Sequence, residues 1–301
     1  MPAPPDVAAC PMCGGRATHL FDVGDRNRAI TDATFSYARC SACGLIFLVD
    51  PPDDLGRYYP DSYYELATAA QLARHAPSEQ HKVDLLLAHG PPGRLTEIGP
   101  GQGVFAFAAE RAGFEVTGIE MDERACRHLA SVAGIAAINS AAPHEALRDL
   151  PPQRAIALWH VLEHLPEPWK LVDAAAEALE PGGLLAIATP NPESFGMRVL
   201  GRRWPHVDAP RHLFLVPVRA LRERARSAGL SEVAYTTDDP GGRHWNRFAW
   251  EHALRGPRPS PRRARIAGLM GLAATVAALP LDRRPGHGAA YTVVFRKDAP
   301  T

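Results

Sequence analysis

Residues 94–122 read RLTEIGPGQGVFAFAAERAGFEVTGIEMD. A short apolar run, Leu95 to Ile98, is broken by one acid, Glu97, and passes into three glycines at alternate positions, Gly99, Gly101 and Gly103. That is the pattern of a strand feeding a tight turn. Val104 to Ala112 are helix formers with apolar residues at helical spacing, Gly113 is placed to stop the helix, and Phe114 to Ile119 reads as a second strand. The unit is therefore strand, helix, strand. Glycines at the turn permit positive φ and let a ligand approach without meeting a Cβ, while the helix N-terminus offers unpaired N–H groups. Glu120 ends the second strand about 20 residues beyond the turn, where such folds place a carboxylate that accepts hydrogen bonds from a ribose diol. The expected ligand carries a nucleoside.

The whole chain has 301 residues, 46% hydrophobic and 22% charged, with 33 basic residues balancing 33 acidic ones. No net field draws it to nucleic acid, so no nucleic-acid partner is expected. The N-terminus, MPAPPDVAA, lacks a basic region followed by an apolar core, and the expected location is cytoplasmic. Four of the five cysteines form two knuckles, Cys10-Pro-Met-Cys13-Gly and Cys40-Ser-Ala-Cys43-Gly. Two thiolates three apart around a tight turn grip one metal tetrahedrally, so the pair reads as a zinc ribbon whose Zn2+ is structural, its four positions being filled. Cys126 reads as a packed small residue. Pro51-Pro52-Asp53-Asp54 breaks regular structure, giving a ribbon module over 1–50, a linker with helical segments over 51–93, and a ligand-binding domain over 94–301. Tyr58, Tyr59, Tyr63 and Tyr64 either line a substrate pocket or pack between ribbon and core. Leu66 to His89 is helical in pattern, with a break expected at Pro77.

Two nucleoside readings compete. Gly101, Gly103 and Ala106 satisfy the loose G-x-G-x-x-A dinucleotide pattern, which admits an NAD-type ligand. Read from the strand, the text is E-x-G-x-G-x-G from Glu97 to Gly103, and this resembles the first motif of class I S-adenosylmethionine (SAM)-dependent methyltransferases. Downstream, Arg124 to Val132 reads as a helix, and Ile135 to Ile138, Ala155 to Trp159, Leu184 to Thr189, Val233 to Thr237 and Ala290 to Arg296 read as strands. The segment His160-Val161-Leu162-Glu163-His164 also spells H-x-x-E-H, an inverted zinc-protease motif, but that motif needs to lie well inside a helix and here it starts on a strand end. WHVLEHLPEP instead is similar to the text after the fourth strand in methyltransferases of the ubiquinone-biosynthesis and methyltransferase-23 type. Glu180-Pro181-Gly182-Gly183, Thr189-Pro190-Asn191, and the run through Trp204, Asp208, Pro210, Arg211, His212 and Leu213 continue the likeness.

The resemblance implies a Rossmann-like α/β fold, a seven-stranded parallel sheet with an antiparallel final strand, preceded by the ribbon. It implies that Glu97, Gly99, Gly101, Gly103 and Glu120 hold SAM, that Ser140 approaches the adenine where an Asp is more usual, and that Trp159 and His160 lie over the methyl donor. His160, His164 and His212 are the candidate bases, imidazole titrating in the useful range. The ribbon is similar to the four-cysteine module of some sugar methyltransferases, although their Asn-plus-His pattern and large C-terminal domain are missing. The expected acceptor is a small molecule: a sugar, a phenol or quinone-like compound, or a lipid-linked substrate. Residues 238–288 form an insertion, Arg- and Pro-rich and then apolar from Ile266 to Leu281. Sixteen residues fall short of the roughly 20 that span a bilayer, so the insertion is expected to cap the substrate pocket or to rest, through 264–281, on a membrane surface or lipid-like substrate. An NAD-dependent oxidoreductase and a non-catalytic scaffold are the readings from other classes.

Overall fold

The computed structural model describes residues 6–60, 66–254 and 260–299. Tyr63 and Tyr64 lie outside the described residues. Four antiparallel strands, β1 (Asp6–Ala9), β2 (Arg16–Gly24), β3 (Thr34–Cys40) and β4 (Ile46–Leu48), carry the cysteine knuckles. Helix α1 (Ala69–Leu87) follows, started by a capping box in which the Thr68 side chain accepts from the Gln71 N–H and the Gln71 side chain accepts from the Thr68 N–H. Contrary to expectation it runs unbroken through Pro77. Pro77 is exposed, so the hydrogen bond its ring removes lies on the solvent side.

The expected second layer then appears: β5 (Arg94–Ile98), α2 (Val104–Arg111), β6 (Glu115–Glu120), α3 (Glu123–His128), β7 (Ala136–Asn139), α4 (Pro143–Ala146), β8 (Gln153–Trp159), α5 (Pro168–Ala178) and β9 (Leu179–Pro190). After α6 (Phe195–Leu200) and β10 (Phe214–Leu215) come α7 (Val218–Ser227), β11 (Leu230–Thr236), α8 (Pro240–Ala253), α9 (Pro261–Asp282) and β12 (Ala290–Lys297). Seven strands form one sheet in the order β11-β12-β9-β8-β5-β6-β7, with β12 antiparallel to both neighbours. The order reverses at β5, so the carboxyl ends of β5 and β8 open a crevice, the position where such sheets bind ligands.

Two expectations need correction. The ribbon sheet is not confined to residues 1–50: β10 pairs antiparallel with β4, Phe214 opposite Phe47, making it five-stranded. One buried apolar cluster runs from Tyr37, Leu45 and Phe47 to Leu158, Ile187 and Phe295. The described residues of the 238–288 insertion form two helices, and the helix that carries the sixteen-residue apolar stretch is longer than that stretch. Pro261 occupies the first helical turn, where its missing N–H costs nothing, and the helix extends over 22 residues. By length and composition α9 can cross a membrane, its most apolar 18-residue window having a mean hydropathy of 1.6.

Candidate functional site

Gly99, Gly101 and Gly103 all hold positive φ, at 65°, 53° and 81°. A Cβ on Gly99 would meet the Val161 side chain at 2.7 Å, so the turn after β5 tolerates only glycine at this position. Glu97, one residue before the end of β5, is 4% exposed and its Oε2 has no hydrogen-bond partner among the described residues. Burial pushes its carboxyl up to about 8 against the opposing pull of Lys82. Glu120 ties the glycine turn to the neighbouring strand end: its Oε2 accepts from the Gly101 N–H and its Oε1 from the Asp122 N–H, each at 3.0 Å. Ser140 lies just past β7, donating its N–H to the Glu120 carbonyl and accepting from the Ala142 N–H through Oγ. Trp159 closes β8, packed edge-on against Phe105 with the Lys82 ammonium 4.8 Å from its ring. A buried carboxyl with a free oxygen, a cradle without Cβ atoms and a strand-end carboxylate are groups able to bind a nucleoside bearing an ammonium group.

The histidines form a second centre on the same sheet edge. His160 follows β8 with φ 58°, an uncommon left-handed conformation for a non-glycine residue. Its Nδ1 lies 3.6 Å from Glu163 Oε1, and its ring is 4.9 Å from that of Trp245 on α8. His160 thus reaches toward Glu163 and the insertion. His164 and His212 meet edge to face, ring centres 4.5 Å apart. The Nδ1 of His164 donates to the Arg211 carbonyl at 3.0 Å, with Tyr59 Oη 2.9 Å away, and the Nδ1 of His212 donates to the His206 carbonyl at 2.8 Å. With both Nδ1 atoms committed to carbonyls, each Nε2 keeps its lone pair.

Glu163 sits between them, fully buried, its Oε2 accepting from Thr189 Oγ1 at 2.9 Å and its Oε1 without a hydrogen bond. Burial opposes its ionisation, but the neighbouring imidazoles of His160, His164 and His212 outweigh that and keep it charged. Burial, with His212 adding to it, lowers His164 to about 4, so that ring is neutral at neutral pH. Asp208 lies 4.0 Å from His212 Nε2. Burial resists its ionisation, and the Arg211 guanidinium prevails.

Glu163, His164 and His212 also bring one donor atom each within 4.8 Å of one another, a set able to hold a divalent cation. The four cysteines do the same. Cys10 and Cys43 Sγ are 3.6 Å apart and Cys13 and Cys40 Sγ 3.5 Å, close to the roughly 3.8 Å edge of a tetrahedron with 2.3 Å zinc–sulfur bonds.

The residues read from the sequence as donor-binding, base or metal-ligating candidates lie in these three groups, whereas Tyr58 packs edge-on against Phe35 in the ribbon core. Tyr59, read from the sequence as lining a pocket or packing between ribbon and core, lies beside His164, and residues that reading did not single out complete the histidine centre: Trp245 over His160, His206 against Trp245, and the buried Asp25, whose Oδ1 accepts from Arg211 Nη2 at 2.7 Å. Their signals are single residues far apart in sequence, which no spacing rule connects.

Comparison with known proteins places residues 68–235 in the family described as a methyltransferase domain. The chain is similar to the ubiquinone biosynthesis O-methyltransferases of Albidiferax ferrireducens, 30% identical over 47% of this chain and 56% of that one, and of Paracidovorax citrulli, 28% identical over 54% of this chain and 71% of that one. The chain spans about half to three-fifths of the length of most of the curated relatives it matches. Its fold is similar to a candidate sarcosine dimethylglycine methyltransferase from Galdieria sulphuraria, with a TM-score of 0.52 and 15% identity over 82% of this chain and 99% of that one.

Proposed function

We propose that this chain, which belongs to the methyltransferase-domain family, is a SAM-dependent methyltransferase acting on a hydroxyl of a small-molecule acceptor. The observation that carries the acceptor chemistry is the pair of imidazoles, His164 and His212, held with open Nε2 atoms beside the buried Glu163 carboxylate. SAM supplies an activated methyl group on a sulfonium, so the protein has to orient donor and acceptor in line, exclude water and remove the acceptor's proton. Glu97, Gly99, Gly101, Gly103, Glu120, Ser140 and Trp159 hold the donor. His212 is the base: Nε2 takes the hydroxyl proton, and Asp208 and Glu163, both anionic, stabilise the imidazolium. His164, which burial keeps neutral down to about 4, positions the acceptor with Tyr59 and His160. Among sugar, phenol or quinone-like and lipid-linked acceptors, the O-methyltransferase relatives favour the phenolic hydroxyl. Cys10, Cys13, Cys40 and Cys43 hold a structural Zn2+.

Calorimetry with SAM, its demethylated product and NADH, followed by assays against phenols, sugars and lipid-linked acceptors, tests the reading. SAM and its product bind and NADH does not. His212→Ala lowers kcat by about 100-fold or more with SAM affinity retained. NADH binding alone would hand the fold to a dehydrogenase, and an unaltered kcat in His212→Ala would remove the base. A second reading rests on Glu163, His164 and His212, which would hold a divalent cation, and that ion would supply Lewis-acid activation of the acceptor hydroxyl. Under that reading, activity lost to a chelator returns with Mg2+ or Mn2+ while the ribbon thiolates retain zinc.

A further inference from the structure

Helix α9 is built inside out. Its buried positions are small, Ala267, Gly271 and Ala278, together with Asp282. A Cβ on Gly271 would lie 2.5 Å from the Glu251 Cα, so the close approach to α8 requires glycine there. The large apolar residues Ile266, Leu269, Met270, Leu272, Val276 and Leu279 all face outward, Leu269 at 67% and Val276 at 66% exposed. A row of this kind far exceeds the scattered surface apolar residues of ordinary soluble proteins. Exposed arginines bracket it: Arg262, Arg263 and Arg265 at the start and Arg283 and Arg284 after the end. The helix's single acid, Asp282, is buried and accepts from Trp250 Nε1 at 2.8 Å.

We propose that α9 docks the protein onto an anionic lipid surface, lying in the plane of the interface with its outer face among the acyl chains and its terminal arginines on the headgroups. The charge distribution decides between this occupant and a second copy of the chain. Whether two α9 helices pair parallel or antiparallel, each arginine end meets another arginine end, which is repulsive, whereas anionic headgroups neutralise both ends at once. Spanning the bilayer is opposed by the other side of the helix. Insertion would strip α8 from the small-residue face and carry Asp282 into hydrocarbon. Because α8 stacks Trp245 over His160, docking sets the histidine centre one helix layer from the membrane. The inference stands on α9 alone and does not depend on the identity of the methyl acceptor.

Flotation of the full-length, zinc-loaded chain with vesicles of phosphatidylcholine and phosphatidylglycerol, compared with phosphatidylcholine alone, is the test. The wild type floats with the anionic vesicles and loses them at high salt. The double variant Leu269→Gln with Val276→Gln binds about tenfold more weakly or worse, with the wild-type melting temperature retained. Arg283→Gln with Arg284→Gln weakens the anionic vesicles only. Three results would each overturn the proposal: no flotation, equal flotation of the Leu269 and Val276 variant, or a wild-type dimer by light scattering that this variant splits.

Discussion

At Glu97 a carboxyl is buried one residue from the glycine turn, and burial lifts it to about 8 from an ordinary 4.5. In the folded chain it holds its proton through a pH range in which the unfolded chain has lost it. Stability therefore falls as pH rises from 4.5 through 8, by roughly 5 kcal/mol for a shift of this size. Glu97→Gln removes the ionisable group and its cost. Thermal denaturation gives the variant the same melting temperature as wild type near pH 5 and a higher one at pH 8. Donor binding moves the other way. The ammonium of SAM favours the carboxylate, so binding near pH 7 releases a proton, visible as a binding heat that changes with the buffer's ionisation enthalpy. Glu97→Gln abolishes that release and weakens SAM by about 10-fold or more. A variant that binds SAM as tightly as wild type, with no change in buffer dependence, would detach Glu97 from the donor site.

The element that joins ribbon to histidine centre is the segment from Trp204 to Leu215. Its last residues pair with β4, Leu48 donates its N–H to the Leu213 carbonyl, and Tyr37 Oη donates to the His212 carbonyl at 2.7 Å. Within it, Arg211 is fully buried between Asp25 of the ribbon and Asp208. Both carboxylates are needed to offset the desolvated guanidinium. Asp25→Asn keeps the shape and removes one charge, costing about 3 kcal/mol. Because His212 follows directly, kcat falls by about tenfold while SAM affinity, set at the other strand ends, stays within about twofold. Equal losses in kcat and SAM affinity would indicate global damage instead. The run from Trp204 to Leu213 was legible as family-like text, but its joint to the ribbon was not legible in the sequence. The knuckles and the glycine turn were, because fixed spacing over a few residues encodes their geometry. β10 is two residues long and acquires its identity only from the strand it meets, and Asp25 carries no motif. The histidines were legible singly through their motifs, but their convergence with Tyr59, His206 and Trp245 is set by tertiary packing. Pro77 misled for a related reason: a proline breaks a helix by its local chemistry, and only its place on the exposed face of α1 determines that it does not.

On the scale of the molecule, the cysteine ribbon and the seven-stranded sheet share one continuous core, and β10, from the chain between β9 and β11, completes the ribbon sheet, so the ribbon is part of the framework that positions the histidine centre. Zinc held by four thiolates contributes its binding free energy to folding wherever it binds the folded chain alone. Were the ribbon an independent module, a chelator would split thermal unfolding into two transitions and leave the larger one unmoved. With a shared core, the metal-replete chain unfolds in a single calorimetric transition. Stripping the metal lowers that whole transition by about 10 °C or more, since several kcal/mol are lost from a chain in which each one moves the midpoint by about 2–4 °C. The same treatment removes methyl transfer before SAM binding, because the first structure to loosen is the strand pairing that holds the His212 segment, while Glu97 and the glycine turn belong to the other sheet and the turn that follows its β5 strand. Two transitions, of which only the smaller responds to the chelator, would show the ribbon to be an appendage.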